Sequence, residues 1–293
     1  MSTVDDMTSL VIRDREISVT VAHHGAEPVS IRDEDGHEYL WSGDEPWRRH
    51  APVLFPVICR VPDDRIRVGD STYPMPQHGF ARDREWTVVD HGHDRVSYVL
   101  VADEDTRRHY PFDFALAVTY VVADRSLSVQ YTVENRGDEP MPFALGSHPA
   151  FVWPLETDQP RSMHQVRFDE PETAPARRVV DNLLTDERLD NPAWDRVVTL
   201  NDAWFTEGAV IMTEVASRGL VYSSGAGRQV RMTWEGFTGI TLWSVPGARF
   251  VCIEPWRGQP APTDYVGQFA GKPGNVVVPP GGREELSYAV ELL

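Results

Sequence analysis

The sequence holds two cysteines, one lysine and no long apolar run, and each scarcity removes a class of protein. Cys59 and Cys252 lie far apart in the apolar stretches PVICRV and FVCIEP. Two such residues give no zinc spacing. In a reducing compartment they read as buried free thiols rather than a disulfide. No stretch approaches the ~18 consecutive apolar residues that mark a membrane span. The opening MSTVDDMTSL carries early acids and lacks the basic-then-apolar order of a secretory leader. A cytoplasmic protein without a membrane partner is expected. Basic charge is also scarce: the net charge is -17, and Lys272 is the single lysine among the basic residues. That balance argues against nucleic acid, whose binding rests on basic patches. The preference for arginine runs through the whole chain and reads as composition bias. A local arginine cluster can still hold a small anion.

Familiar catalytic signatures are missing as well. His23-His24 and His91-Gly92-His93 lie in polar, loop-like surroundings, with no His-Glu-x-x-His or Cys-x-x-Cys beside them. Neither a metal nor an organic cofactor is expected. There is no Gly-x-Ser-x-Gly for a nucleophilic serine and no glycine loop to cradle a phosphate chain. Helical periodicity is scarce. The best stretch, DERLDNPAWDRVV (186–198), is interrupted by Pro192.

Period-two alternation is abundant. ISVTVA (17–22), FALAVTYVV (114–122) and LSVQYTVEN (127–135) each place β-branched and aromatic residues on one face. The last two are separated by a short polar break and read as a hairpin. QVRMTW (229–234), GITLWSV (239–245) and RFVCIEP (249–255) give three more strands, split by glycine and proline. LSYAVELL (286–293) closes the chain, with NVVV (275–278) expected as its partner across the turn PPGG. Residues 155–208 are polar and weakly patterned, and read as an excursion from the sheet. Many strands and few short helices predict an all-β fold, a large antiparallel β-sandwich. The absence of a repeat or low-complexity linker makes one domain over 1–293 the simplest organisation, with ample apolar content for its core.

Ionisable groups interrupt the apolar strands at four places. Arg60 ends FPVICRV, His78 and Arg82 sit in QHGFARDREW, His148 sits in FALGSHPAF, and Glu254 follows the apolar run of FVCIEPW. A buried charge is costly unless paired or used. Each has a plain structural reading: an edge ion pair for Arg60, a turn for His78, a satisfied core group for His148, an ion pair for Glu254. Together, two histidines and a carboxylate beside aromatics suit acid–base chemistry on a sugar, whose ring offers apolar faces and a hydroxyl rim. Trp243 and Trp256 are the stacking candidates, with burial in the core as the alternative.

At these positions the sequence resembles the aldose 1-epimerase (mutarotase) family, nearest the branch of LacX-like proteins and glucose-6-phosphate 1-epimerases. The resemblance rests on EYLWSGDEPWRRHAPVLFPVICR (38–60), QHGFARDREW (77–86), GSHPAF (146–151) and FVCIEPW (250–256), which occur in family order. It implies a galactose mutarotase-like supersandwich and interconversion of the α and β anomers of a hexose or hexose phosphate, with no cofactor. In that reading Glu254 is the base at the C1 hydroxyl and His148 the acid at the ring oxygen. His78 hydrogen-bonds the sugar, and Arg60 binds hydroxyls or orients Glu254. Arg82 matches an arginine that holds the phosphate in the hexose-phosphate branch; pairing with Asp83 or Glu85 is the alternative. Arg48 and Arg49 are further candidates on a loop.

Two other functions use the same fold. One is a non-catalytic carbohydrate-binding or regulatory protein. The other is a glycoside hydrolase or lyase, which needs a second carboxylate such as Asp83 or Asp264. The expected partner is a small sugar, and the protein a monomer or homodimer.

Overall fold

The alternating stretches form strands, and each buries the face that its alternation marks. A computed structural model describes residues 8–293; the opening MSTVDDM, where a leader was sought, lies outside the described residues. Ile17, Val19 and Val21 point inward from Ile17–Ala22, and Leu127, Val129, Tyr131 and Val133 from Ser126–Asn135. Phe114–Ala123 pairs antiparallel with Ser126–Asn135. Between them Asp124 and Arg125 both take positive φ, 47° and 64°, as a two-residue hairpin turn requires when it follows the strand twist.

Two large sheets dominate. A nine-stranded sheet runs from Val197–Thr199 through Gln165–Phe168, Gly219–Ser223, Gln229–Glu235, Arg283–Leu292, Ser126–Asn135, Phe114–Ala123 and Arg95–Val101 to Thr87–His91. An eight-stranded sheet contains Ala176–Val180, Val210–Met212, Gly239–Trp243, Phe250–Arg257, Leu145–Ser147 and Val53–Leu54. The inner faces share one hydrophobic core, which holds Tyr131, Tyr288 and Tyr222 from one sheet and Leu242, Val251 and Ile253 from the other. Two tyrosine hydroxyls inside it are matched: Ser147 Oγ bonds Tyr288 Oη at 2.9 Å, and Tyr222 Oη donates to Val152 O at 2.9 Å. Helix is confined to short turns, the longest α segment being Glu104–Arg107, capped by Asp103. The fold is therefore an all-β antiparallel sandwich. Among the described residues no helix is long and apolar enough to cross a membrane.

Three expectations need correction. Val276–Val278 pairs with Met141–Phe143, not with the terminal strand. The turn at PPGG forms, with Gly282 N donating to Pro279 O at 2.9 Å. The strand that follows, Arg283–Leu292, already has both edges occupied, by Ser126–Asn135 and Gln229–Glu235, so no edge remains for 276–278. The stretch 186–198 is not helical. Leu183–Leu189 is a strand that pairs with Ala176–Val180 across Asp181 and Asn182, both at positive φ. Asn191 then turns the chain, its side chain bonding Ala174 O at 2.8 Å and Ala193 N at 2.9 Å. The leucines at 183, 184 and 189 serve a strand rather than a helix face. The region 155–208 is accordingly no excursion; it supplies edge strands to both large sheets.

Candidate active site

The strand Phe250–Arg257 has two faces with two uses. Val251 and Ile253 enter the core between the sheets, while Phe250, Cys252, Glu254 and Trp256 occupy the opposite face. Glu254 and Trp256 of that outer face line a cavity of about 430 Å3.

His148 reaches Glu254 because a ladder is interrupted. Gly146 pairs with Trp256, and Ala150 pairs with Cys252. The same antiparallel register carried through the break sets His148 across from Glu254. Pro149, with no N–H, opens the ladder there, and its carbonyl still accepts from Ile253 N at 3.1 Å. The result is a contact of 3.2 Å between His148 Nε2 and Glu254 Oε2, with His148 6% and Glu254 1% exposed. On the other side of Glu254 lies Thr241, in register and fully buried.

Burial sets the protonation of this pair. It pushes the Glu254 carboxyl well above the usual carboxylate range, opposed in part by the indole N–H of Trp256. It lowers His148 to about 3, helped by the positive charges of Arg82 and Arg49. Burial thus disfavours charge on both groups of this 3.2 Å contact.

His78 is held by the backbone. It sits at φ 64°, its N–H donates to Cys59 O at 2.7 Å, and its Nδ1 accepts from Cys59 N at 3.1 Å. Nδ1 is thereby the acceptor, which leaves Nε2–H as a donor. Burial keeps this ring neutral, its pKa lying well below the ordinary histidine value. The imidazoles of His78 and His148 meet edge to face, with centroids 5.7 Å apart.

Gly79 makes that placement possible. It has φ +71°, and a Cβ there would lie 2.0 Å from Phe55 O. Phe55 O accepts from Phe80 N at 3.0 Å and cannot retreat without losing the bond. Gly79→Ala is expected to destabilise the protein by about 3 kcal/mol or more, from strain and backbone collision combined. A urea unfolding curve measures it; a midpoint within error of wild type would contradict this account of the turn.

Aromatic walls complete the cavity. Trp47 stacks on His148 with centroids 4.9 Å apart and meets Trp243 edge to face at 5.5 Å. Trp243 also meets His148 at 5.6 Å. Trp243 is half-buried and Trp256 is 2% exposed, yet both line the cavity. Arg82 and Arg49 stand at one side. Arg82 donates from Nη2 to Gln77 O at 2.8 Å, and Arg49 donates to Asp83 Oδ1 at 2.8 Å. The Nε of Arg82 is buried without a hydrogen bond, with Asp83 Oδ2 3.7 Å away as the sequence alternative had it, and burial with the neighbouring Arg49 lowers its pKa to about 10.

Of the residues singled out in the sequence, His78, His148, Glu254, Arg82, Trp243 and Trp256 line this one cavity. Arg60 does not. The chain turns at Cys59, whose φ is +54°, and the Arg60 guanidinium bonds the Asp64 carboxylate on a separate concavity. It neither lines this cavity nor contacts Glu254. Arg48 is exposed and paired with Glu45. Among the described residues Glu254 is the single carboxylate lining the cavity; Asp83 and Asp264 are absent from its wall. The second carboxylate of a glycoside hydrolase is therefore not supplied.

Sequence reasoning missed Trp47, Gln77, Thr241 and Asn182 as wall residues. It also missed two supports. Glu27 accepts from His50 N at 2.6 Å and Ala51 N at 2.8 Å, fixing the loop that carries Trp47 and Arg49. Arg178 Nη1 donates to the carbonyls of Trp204, Gly208 and Ala209 at 3.0–3.1 Å, holding the cavity wall at 208–209. Trp47 was within reach of the sequence, since it lies in the matched stretch 38–60. The carbonyl and amide partners of Glu27 and Arg178 carry no side-chain signature.

Comparison with known proteins extends this geometry. A model of the aldose 1-epimerase family matches residues 8–269. The LacX protein of Lactococcus lactis is 25% identical over 300 residues, covering 97% of this chain and 99% of the relative. The crystal structure of a galactose mutarotase-like protein from Lactobacillus casei is 32% identical, with a TM-score of 0.90 over 97% of this chain and 100% of that one. A galactose mutarotase related enzyme from Lactobacillus acidophilus is 27% identical, with a TM-score of 0.91 and 97% coverage of both chains. The chain belongs to the aldose 1-epimerase family.

Proposed function

We propose that the protein interconverts the α and β anomers of an aldose by acid–base ring opening, on a single sandwich unit carrying one site. The observation that carries this reading is the buried His148–Glu254 contact of 3.2 Å at the floor of an aromatic-walled cavity. Ring opening moves one proton off O1 and one onto the ring oxygen. Glu254 as carboxylate takes the O1 proton, the electrons form the C1 carbonyl, the C1–O bond of the ring breaks, and His148 gives its proton to the released oxygen. After rotation about C1–C2 the flow reverses onto the other face of the carbonyl, with acid and base exchanged.

This needs one proton on the pair, and burial favours its location on Glu254. Moving it to His148 across 3.2 Å leaves the total charge unchanged. A bound sugar favours the charged form, because O1–H donates to the carboxylate and the ring oxygen accepts from the imidazolium. The Nε2–H of His78 supplies a fixed donor to a sugar oxygen. Trp243 and Trp256 offer ring faces to the sugar.

Arg82 and Arg49 define the substrate class within this reading. Two guanidiniums on one wall, with a buried Nε that makes no hydrogen bond, suit an anionic substituent such as the phosphate of a hexose phosphate. The test is optical rotation of fresh α-D-glucose, α-D-galactose and α-D-glucose 6-phosphate with and without the protein. Equilibration of the phosphate ester is expected to accelerate most. Arg82→Leu should raise KM for the ester by about 10- to 100-fold, the worth of one charge-assisted bond, and change that for the neutral sugars far less. Acceleration of none of these or of a wider sugar panel would refute the catalytic reading. Equal effects of Arg82→Leu on charged and neutral sugars would remove the phosphate assignment alone.

A further inference from the structure

We propose that His148, Cys252 and Glu254 together form a site for one soft divalent metal ion of the zinc type, and that its occupancy shuts the sugar site. The inhibitory half rests on the acid–base reading above; the binding half does not.

The three side chains lie on one face of the sheet. Cys252 and Glu254 are two residues apart on one strand, and the interrupted ladder sets His148 beside them. One donor atom from each lies within 4.8 Å of the others, and all three residues are buried. A tetrahedral zinc site with bonds of about 2.0–2.3 Å needs donors about 3.3–3.8 Å apart, so rotation of side chains suffices to close the set. The Nε2···Oε2 separation is already 3.2 Å. Glu254 Oε2 is also buried with no hydrogen-bond partner, a group left available to a ligand.

The donor set selects the ion. Sulfur and imidazole nitrogen favour zinc and its neighbours over magnesium or calcium, which prefer all-oxygen sites. Charge agrees: a dication, a thiolate, a carboxylate and a neutral imidazole sum to zero, which a buried site tolerates. On binding, the thiol proton and the carboxyl proton leave to solvent. Three protein ligands leave a fourth position, and that position opens to the cavity, since His148 and Glu254 line it while Cys252 lies beneath. No local sequence motif marks this set, because His148 lies far along the chain from Cys252 and Glu254. His23, His24, His91 and His93 are not part of it.

The metal occupies the two groups that would move protons, so metal and sugar exclude each other. Cys252 has no part in the proton transfers, which makes it the residue to change. Titration of the full-length protein with Co2+ is expected to give one equivalent bound, with a thiolate-to-cobalt absorption band in the near ultraviolet. Cys252→Ser should abolish that band and weaken Zn2+ binding at least 10-fold, measured against a chromophoric chelator. Its metal-free mutarotation should stay within about 3-fold of wild type. Cys252→Ala, smaller and apolar, serves as the second variant if the serine disturbs folding. Zn2+ should inhibit wild type competitively with sugar, and a chelator should restore the rate.

Absence of stoichiometric Co2+ binding, or equal binding by both cysteine variants and wild type, overturns the proposal. Stoichiometric binding through Cys252 in a protein that accelerates no sugar would keep the metal site and discard the epimerase reading. Fast mutarotation without metal binding would do the reverse.

Discussion

Glu254→Gln should lower mutarotation by about 10²- to 10⁴-fold, the usual contribution of a positioned general base. The substitution keeps the shape of the side chain and removes its ability to take a proton. It also replaces a buried carboxyl, which burial holds well above its ordinary pKa, by a neutral group, so no loss of stability is expected. His148 Nε2 retains an oxygen or nitrogen neighbour near 3.2 Å, and the stacking of Trp47 on His148 is untouched. Rates are read by polarimetry, corrected for spontaneous mutarotation, and sugar binding by calorimetry. A collapse of rate with binding retained assigns Glu254 to chemistry. An unchanged rate places the base elsewhere. Sugar binding by a wild type that never accelerates equilibration would favour a carbohydrate-binding protein on the same fold.

Much of this architecture was legible because strands broadcast their buried face. Phe114–Ala123 and Ser126–Asn135 carry large apolar residues every second position, and the alternation alone fixes which side faces the core. Pairing was less legible. The turn PPGG forms, yet its flanking strands part company, since both edges of Arg283–Leu292 are taken by segments far away in sequence. Local turn chemistry does not encode such competition. The stretch 186–198 misled for a related reason: its helical reading gives way to the strand Leu183–Leu189, which the Asp181-Asn182 turn folds back on Ala176–Val180. At the site, Glu254 and His148 were visible as charges inside apolar runs. Their meeting was not, because it depends on a register carried across the break at Pro149. Arg60 shows the limit of reading along the chain. It adjoins Cys59, a wall residue, but the left-handed turn at Cys59 sends it to Asp64.

His148→Gln should cost a similar factor, about 10²- to 10⁴-fold, and the double variant with Glu254→Gln should fall little further. The reason is that ring opening needs both proton transfers in one event. Once either partner is lost, the remaining group has no counterpart to complete the transfer, and its own removal then changes little. Independent contributions would instead multiply, because each would lower the barrier by its own amount. Four rates decide between these cases: wild type, the two single variants and the double, with the same sugar at one pH. Each is compared with the uncatalysed rate, which sets the floor. A double variant within about 10-fold of the slower single marks the pair as one unit. A loss close to the product of the two singles would separate them, and the 3.2 Å contact would then be packing rather than a proton path. Gln at 148 also keeps a side chain for Trp47 to pack on, so fold and cavity persist and the comparison reads the proton rather than the scaffold.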